Sequence, residues 1–479
     1  MSRVRQLPSA KYELLSEKKR SNVWSFLGIV ASVVIIILVT SFATYFSWKI
    51  MKTSHARRIV INMEEFSKNN SVQLPSWKHR LEAYGAALKQ SKTGQNHTVD
   101  AQLNITSVQQ KPVEGDGYKL VCYYSMPSSE NSSTELMPES IDPFLCTHII
   151  IAAASVENCS VAPSPEDTDI YKRVVALKTN NQELKVMLSI GGIATAGGFG
   201  DTVASPEQRK KFIHDLLALL TKCSLDGVDF DWEFPAWESD PSERQHFTEF
   251  LSELRQEIVK KKLELLVSVA VAAPKPIVDV AYDVPQMAQS VDFISIMTYD
   301  YHFYIWYLPV TGYNAPLYPQ MGDEGYFLTL NINWSVNYWM LKGMPKEKIM
   351  IGLPTYGHTF SLLNPNNHNL RAPATGIGSV GSNGYISYDQ VCWFLKNGDA
   401  SVVFDGNSRV PYAFNTKDWI SYENEQSLAY KAEYIVNGEF AGAMVFSLST
   451  DDFQGHCSGG NVKFPLTRHI KLVLTDDEL

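Results

Sequence analysis

From about residue 118 onward, short apolar runs recur at intervals that only a few folds can use. They are KLVCYY (119–124), THIIIAAA (147–154), LKVMLSI (184–190), DGVDFDWE (226–233), ELLVSVAVA (264–272), DFISIMTY (292–299), KIMIGLP (348–354) and AGAMVFS (441–447). Helix-like stretches such as 206–222 and 242–262 separate several of them. Apolar runs alternating with crossover segments predict parallel strands in βα units, and eight such units predict an α/β fold, the (β/α)8 TIM barrel. The gap between the seventh and eighth runs is too long for one helix, so residues 357–425 are expected to form an inserted α+β lobe. Within it lie Gly384-Tyr385-Ile386-Ser387-Tyr388 and Val402-Val403-Phe404. The alternative is an open doubly wound sheet, but no glycine-rich nucleotide fingerprint accompanies it. At 45% hydrophobic residues in 479, the chain can fill a core of that size.

The fourth run poses a chemical question. In DGVDFDWEFP (226–235), Val228, Phe230 and Trp232 alternate with Asp229, Asp231 and Glu233. A period of two puts the three acids on one strand face. Aspartate is depleted in strands, and an unpaired buried carboxylate is costly. A barrel resolves this, because one face points inward and the C-terminal strand ends carry the site. Glu233 should stand at the top of the column, above Asp231 and Asp229. Close acids cannot all ionise comfortably, so at least one pKa should rise, as a general acid near neutral pH requires. The competing reading is a polar core column satisfied by neighbouring Ser and Tyr hydroxyls.

The N-terminal part differs. No charged residue occurs from Ser21 to Trp48, a length that can cross a bilayer, with Trp24, Tyr45 and Trp48 placed as interfacial aromatics. The basic residues before it (Arg3, Arg5, Lys11, Lys18, Lys19, Arg20) outnumber those after it (Lys49, Lys52, Arg57, Arg58). This predicts a cytoplasmic tail (1–23), a signal-anchor helix (24–48), a mostly polar stalk (49–115) and the barrel domain (116–479), in a single-pass type II membrane protein with the barrel extracellular or lumenal. A cleaved signal peptide is the alternative, for which the apolar run is long. Sequons at Asn69, Asn96, Asn104, Asn131, Asn158 and Asn333 all follow the apolar segment and are candidate glycosylation sites. All six cysteines follow it too. Cys122 and Cys146 flank neighbouring strand candidates and form a candidate pair, Cys392 and Cys457 are the next, and Cys159 and Cys223 are left over. No close Cys/His cluster suggests a metal site, and no cofactor is expected. His302, His358 and His456 read as packing or rim residues. The net charge of -9 argues against nucleic acid as a partner.

Asp226-Gly227-Val228-Asp229-Phe230-Asp231-Trp232-Glu233 matches the D-x-x-D-x-D-x-E signature of family 18 glycoside hydrolases, the chitinases and chitinase-like lectins. Ser189-Ile190-Gly191-Gly192 resembles the family's S-x-G-G. Met297-Thr298-Tyr299-Asp300 resembles its M-x-Y-D, the segment 311–318 resembles the loop that follows, and Asp451-Asp452-Phe453 with Cys457 resembles the segment after the last strand. The resemblance covers about 118–470. It implies the barrel, the inserted lobe, and the pairings Cys122–Cys146 and Cys392–Cys457. It also implies retaining, substrate-assisted hydrolysis of β-1,4-linked N-acetylglucosamine polymers, in which the substrate's acetamido group is the nucleophile. Glu233 would be acid and then base. Asp231 would orient the acetamido group, Asp229 would share a proton with Asp231, and Tyr299 would hydrogen-bond the acetamido oxygen. Gly191, Gly192, Phe234, Met297, Asp300, Trp306, Tyr356 and Phe446 would contact sugar.

The cleft walls depart from the family pattern. Phe446 stands where a tryptophan usually floors the central subsite, Ile193-Ala194 replaces W-N, Phe234 replaces a tyrosine, and Tyr356-Gly357-His358 replaces Y-G-R. The H-G-x-W motif becomes the longer His302-Phe303-Tyr304-Ile305-Trp306 after Asp300. Each lost contact costs about 1 kcal/mol or more. Two readings follow: a membrane-anchored hydrolase of chitin or related N-acetylglucosamine oligosaccharides, or a membrane-anchored chitinase-like lectin with little turnover. A purely structural surface protein, which binds no saccharide, is the third.

Overall fold

A computed structural model describes residues 117–128, 135–161, 163–192 and 198–475, all within one compact unit spanning 107–479. The tail, anchor and stalk expected over 1–115 lie outside the described residues, as do Asn69, Asn96, Asn104 and Asn131. The single-pass membrane placement is corrected here. Among the described residues no helix is long and apolar enough to cross a membrane, so the fold gives the anchor no support.

The first seven apolar runs form strands β1 (Lys119–Ser125), β2 (His148–Ala154), β3 (Lys185–Gly191), β4 (Gly227–Asp231), β5 (Leu266–Ala272), β6 (Phe293–Met297) and β7 (Ile349–Pro354). A lobe follows, with β8 (Tyr356–Leu362), β9 (Ala374–Ile377), β10 (Tyr385–Ser387), β11 (Ser401–Asp405), β12 (Val410–Phe414) and β13 (Asp418–Ser421). The eighth run is β14 (Gly442–Phe446). Strands β1 to β7 and β14 pair in parallel and close into a barrel, with β14 lying between β7 and β1.

Period two explains why these runs hold this shape. On β1, Val121 and Tyr123 point into the barrel with Ile150, Met187, Phe293, Met350 and Met444. Leu120, Cys122 and Tyr124 face outward into the layer between strands and helices. Both faces are therefore buried, as parallel sheets require. The helices lie on the outer face: α1 (Pro165–Val175), α2 (Pro206–Lys222), α3 (Glu243–Lys261), α4 (Ile332–Leu341) and, after the lobe's own α5 (Tyr388–Asn397), α6 (Glu425–Gly438) and α7 (Pro465–Thr475). Their starts follow capping chemistry. Ser164 and Asp167 form a reciprocal box at α1, and Ser205 precedes Pro206 at α2.

The lobe is a mainly antiparallel sheet ordered β10-β8-β13-β12-β11, with β9 also on β8. Its strands begin at Tyr356 and end at Ser421, within the expected insertion to a few residues. Cys122 is bonded to Cys146, which ties β1 to the approach to β2. Cys392 is bonded to Cys457, which ties α5 to the segment after β14. Cys159 and Cys223 are free, the latter buried.

Candidate active site

The acidic column stands where the barrel topology directs it. Asp229 lies level with Ser189 of β3 and Ser268 of β5, and Asp231 lies level with Gly191. Asp229 is fully buried and its carboxylate accepts three hydroxyl donors: Ser268 at 2.6 Å on Oδ1, and Tyr123 at 2.7 Å and Ser189 at 3.0 Å on Oδ2. Burial raises its pKa, and those three donors partly offset the rise. Asp231 is 8% exposed, and its Oδ1 is a buried acceptor with no hydrogen-bond donor among the described residues. Burial, then the charges of Glu233 and Asp229, push its carboxyl well above the usual range. Glu233, half-buried, follows at the strand end.

Glycine lets the end of β3 meet this column. Gly191 has φ +111°, and a Cβ there would lie 2.2 Å from the Asp231 carbonyl oxygen. Gly192 has φ +87° and donates its N–H to that same carbonyl at 2.7 Å. A side chain at Gly191 would collide with the β4 backbone, and one at Gly192 would be strained by its positive φ.

Opposite the acids stands an aromatic wall. The ring of Phe446 lies 5.5 Å from that of Tyr123 and 5.7 Å from that of Tyr299, near-parallel to the latter. Tyr299 is buried, and burial followed by the Asp231 charge raises its pKa. Its hydroxyl meets the Met444 sulfur at 4.0 Å. Met297 packs, half-buried, in the same barrel cluster, and Phe234 packs against the outer core. Asp300, at φ 56°, is held on three sides. Its N–H donates to Asn314 Oδ1 at 2.8 Å, and its Oδ1 accepts from Tyr356 at 2.6 Å and from His358 Nε2 at 2.7 Å. Tyr356 and His358 come from β8, so the lobe fixes a residue that the barrel supplies. Non-proline cis peptides occur at Ala152–Ala153, Glu233–Phe234 and Phe446–Ser447.

Two sequence expectations fare differently. His358 is no bystander, because it holds Asp300. Trp306 packs against no part of the barrel core. It is 81% exposed at the tip of a turn closed by an Ile305–Leu308 bridge, with Tyr307 edge-on at 5.6 Å. His302 lies inward, its Nε2 3.1 Å from the Val310 carbonyl oxygen, and Gly312 fits against its ring. His456 is exposed on the segment after β14. Tyr123 and Ser268 belong to no motif singled out in the sequence, whereas Asn314 lies within the segment 311–318. The period-two pattern of β1 and β5, which turns Tyr123 and Ser268 inward, was the available signal for those two. Of the described sequons, Asn158 is exposed in a turn, whereas Asn333 is half-buried and accepts from Tyr434 at 3.1 Å.

The model of the family described as glycosyl hydrolases family 18 matches residues 119–451. The chain belongs to glycoside hydrolase family 18. Human chitinase-3-like protein 2 is 36% identical over 371 residues, 74% of this chain and 93% of that protein. Mouse chitotriosidase-1 is 33% identical over 371 residues, covering 74% of this chain and 78% of its own. A solved structure titled as human YKL-39, a pseudo-chitinase with retained chitooligosaccharide binding, superposes with a TM-score of 0.70 at 35% identity, covering 74% of this chain and 99% of its own. Family 18 relatives of this chain therefore include both chitinases and chitinase-like proteins.

Proposed function

We propose that this family 18 chain binds N-acetylglucosamine oligosaccharides of the chitin type in the cleft above β4 and hydrolyses their β-1,4 links with retention. The observation that carries this reading is the open, buried acceptor on Asp231 Oδ1, beside an Asp229 whose carboxylate already accepts three hydroxyl donors. An acetamido N–H is the donor that such an acceptor lacks. Held there, the acetamido carbonyl oxygen attacks the anomeric carbon, Glu233 protonates the departing glycosidic oxygen, and Glu233 then takes a proton from the incoming water. Asp231 balances the charge on the oxazolinium ring. The Tyr299 hydroxyl, whose described neighbour is only a thioether, is the donor for the acetamido oxygen. Asp300, fixed by Tyr356, His358 and Asn314, contacts sugar near the cleaved bond.

A second reading is favoured by the cleft walls: a binding protein with little turnover. Phe446 offers a smaller stacking face than tryptophan, and Phe234 has no hydroxyl. The test is hydrolysis of a fluorogenic N,N'-diacetylchitobiose or chitotriose glycoside, with Glu233→Gln alongside. Turnover that disappears in Glu233→Gln supports the hydrolase. Saccharide binding of equal strength in both proteins, without cleavage by either from acidic to neutral pH, replaces it with the lectin reading. Absence of both binding and cleavage overturns both.

A further inference from the structure

The lobe ends on an open strand. In the order β10-β8-β13-β12-β11, β11 pairs with β12 alone and has no partner on its outer edge among the described residues. Its sequence is Ser401-Val402-Val403-Phe404-Asp405, with Val402 53% and Val403 38% exposed. Edge strands are ordinarily blunted by lysine, proline, a bulge or an inward charge. The apolar stretch 402–404 carries no lysine or proline, and its register with β12 runs without a shift.

The direction of its free backbone groups can be deduced. Phe404 lies opposite Pro411, which has no N–H, so that pair is not hydrogen-bonded. Antiparallel pairs alternate, which leaves Val403 bonded to β12 through Tyr412 and turns the N–H and C=O groups of Val402 and Phe404 to the open edge.

We infer that β11 pairs antiparallel with β11 of a second copy of this chain, about a two-fold axis at Val403. The segment is self-complementary in that register. Val402 meets Phe404 of the partner copy in a pair that exchanges both backbone hydrogen bonds, giving about four such bonds across the axis. Val403 meets Val403 in the closer, non-hydrogen-bonded pair, Ser401 meets Asp405, and Ala400 meets Gly406. No like charges face each other. Apolar and β-branched partners directly opposite are favourable cross-strand pairs, and the contact is isologous, so it closes at two copies. No sequon falls between 356 and 421, so none within the lobe would crowd the edge. Five residues a side make a small contact, and the dimer should be weak and concentration-dependent. The inference is independent of what the cleft binds.

Three variants of the full chain test it, all in a Cys159→Ser background that removes the partly exposed free thiol. Val403→Cys places the two sulfurs across the axis, where the expected Cα separation of about 4.5 Å suits a disulfide. Mild oxidation should then yield a covalent dimer on non-reducing gels. Ser401→Cys, whose copies would stand about 13 Å apart, should yield none. Val403→Lys puts two ammonium groups on the axis and should lower the mass seen by sedimentation at high concentration, with melting temperature and saccharide binding unchanged. The proposal is overturned if Val403→Cys cross-links no better than Ser401→Cys, or if Val403→Lys leaves the sedimenting mass of the wild type unaltered.

Discussion

At the scale of single residues, the site is built by donors brought to acids from distant parts of the chain. Asp229 receives Tyr123 from 106 positions earlier and Ser268 from 39 positions later. The acids themselves were legible in the sequence, because period two along one strand suffices to align them. Tyr123 was not, because nothing local distinguishes a tyrosine that caps a carboxylate from one that fills a core. The same holds for His358, whose role depends on β8 and β6 meeting. Tyr123→Phe isolates one of these donors while keeping the ring that packs on Phe446. A donor to a carboxylate favours its ionised form, so the Tyr123 hydroxyl opposes the burial that raises the pKa of Asp229. Removing it raises that pKa further. The variant should therefore be destabilised by about 1 kcal/mol or more at neutral pH, where Asp229 is most ionised, and progressively less as the pH falls and Asp229 is protonated in both proteins. Denaturant melts of the two proteins at pH 4 and pH 7 check this, and a difference that is the same at both pH values would remove the argument.

At the scale of elements, all eight apolar runs became strands, shifted by only a residue or two. The run 226–233 is β4, Gly227–Asp231, and the run 441–447 is β14, Gly442–Phe446. Such runs are readable because each needs only its own alternation of burial. How the lobe and the last helix attach was less readable, since it depends on polar contacts between elements. Asp451, in the motif after β14, shows this. It is buried, and it accepts the N–H groups of Leu466 and Thr467 at the start of α7, together with the Thr467 hydroxyl at 2.8 Å. It thus supplies a helix N-terminus with the carboxylate that such a terminus favours. Burial nevertheless dominates and pushes its pKa up to about 6. A folded-state value above the ordinary 3.8 means that the protonated form is favoured in the native protein. The stability it lends is fully present below about pH 4 and is lost as the pH rises through about 6, a change of about 3 kcal/mol. Asp451→Asn keeps the shape and an acceptor oxygen but cannot ionise. Its stability relative to wild type should improve by up to about that amount between pH 4 and pH 7. Parallel stability curves for the two proteins would show that the Asp451 carboxyl does not titrate in this window.

At the scale of the whole molecule, the first and last strands of the barrel are neighbours. β1 pairs with β14 from Lys119↔Gly442 to Cys122↔Val445, and the Lys119 N–H donates to the Ala441 carbonyl at 2.9 Å. The barrel therefore cannot close until almost the entire domain has been made. β1 is more than a staple, since it carries Tyr123 to Asp229 and Cys122 to Cys146. This gives the N-terminal boundary a sharp physical meaning. The compact unit begins near Ser107, and the first strand begins at Lys119. A chain starting at residue 107 retains every strand pairing of the barrel and should melt cooperatively, with the same response to chito-oligosaccharide as the full chain. A chain starting at residue 126 lacks β1. It leaves the edges of β2 and β14 unpaired, strips Asp229 of one donor, and exposes the outer core that Leu120 and Tyr124 cover. Losing the burial of even those two large side chains removes several kcal/mol, comparable with the whole stability of a domain once the lost strand pairing is added. That chain should fail to fold or should aggregate, and it should bind no saccharide. Circular dichroism melts and saccharide titrations of the two truncations decide the matter. Cooperative melting of the shorter one would mean that β1 is dispensable and that the barrel does not depend on its closure.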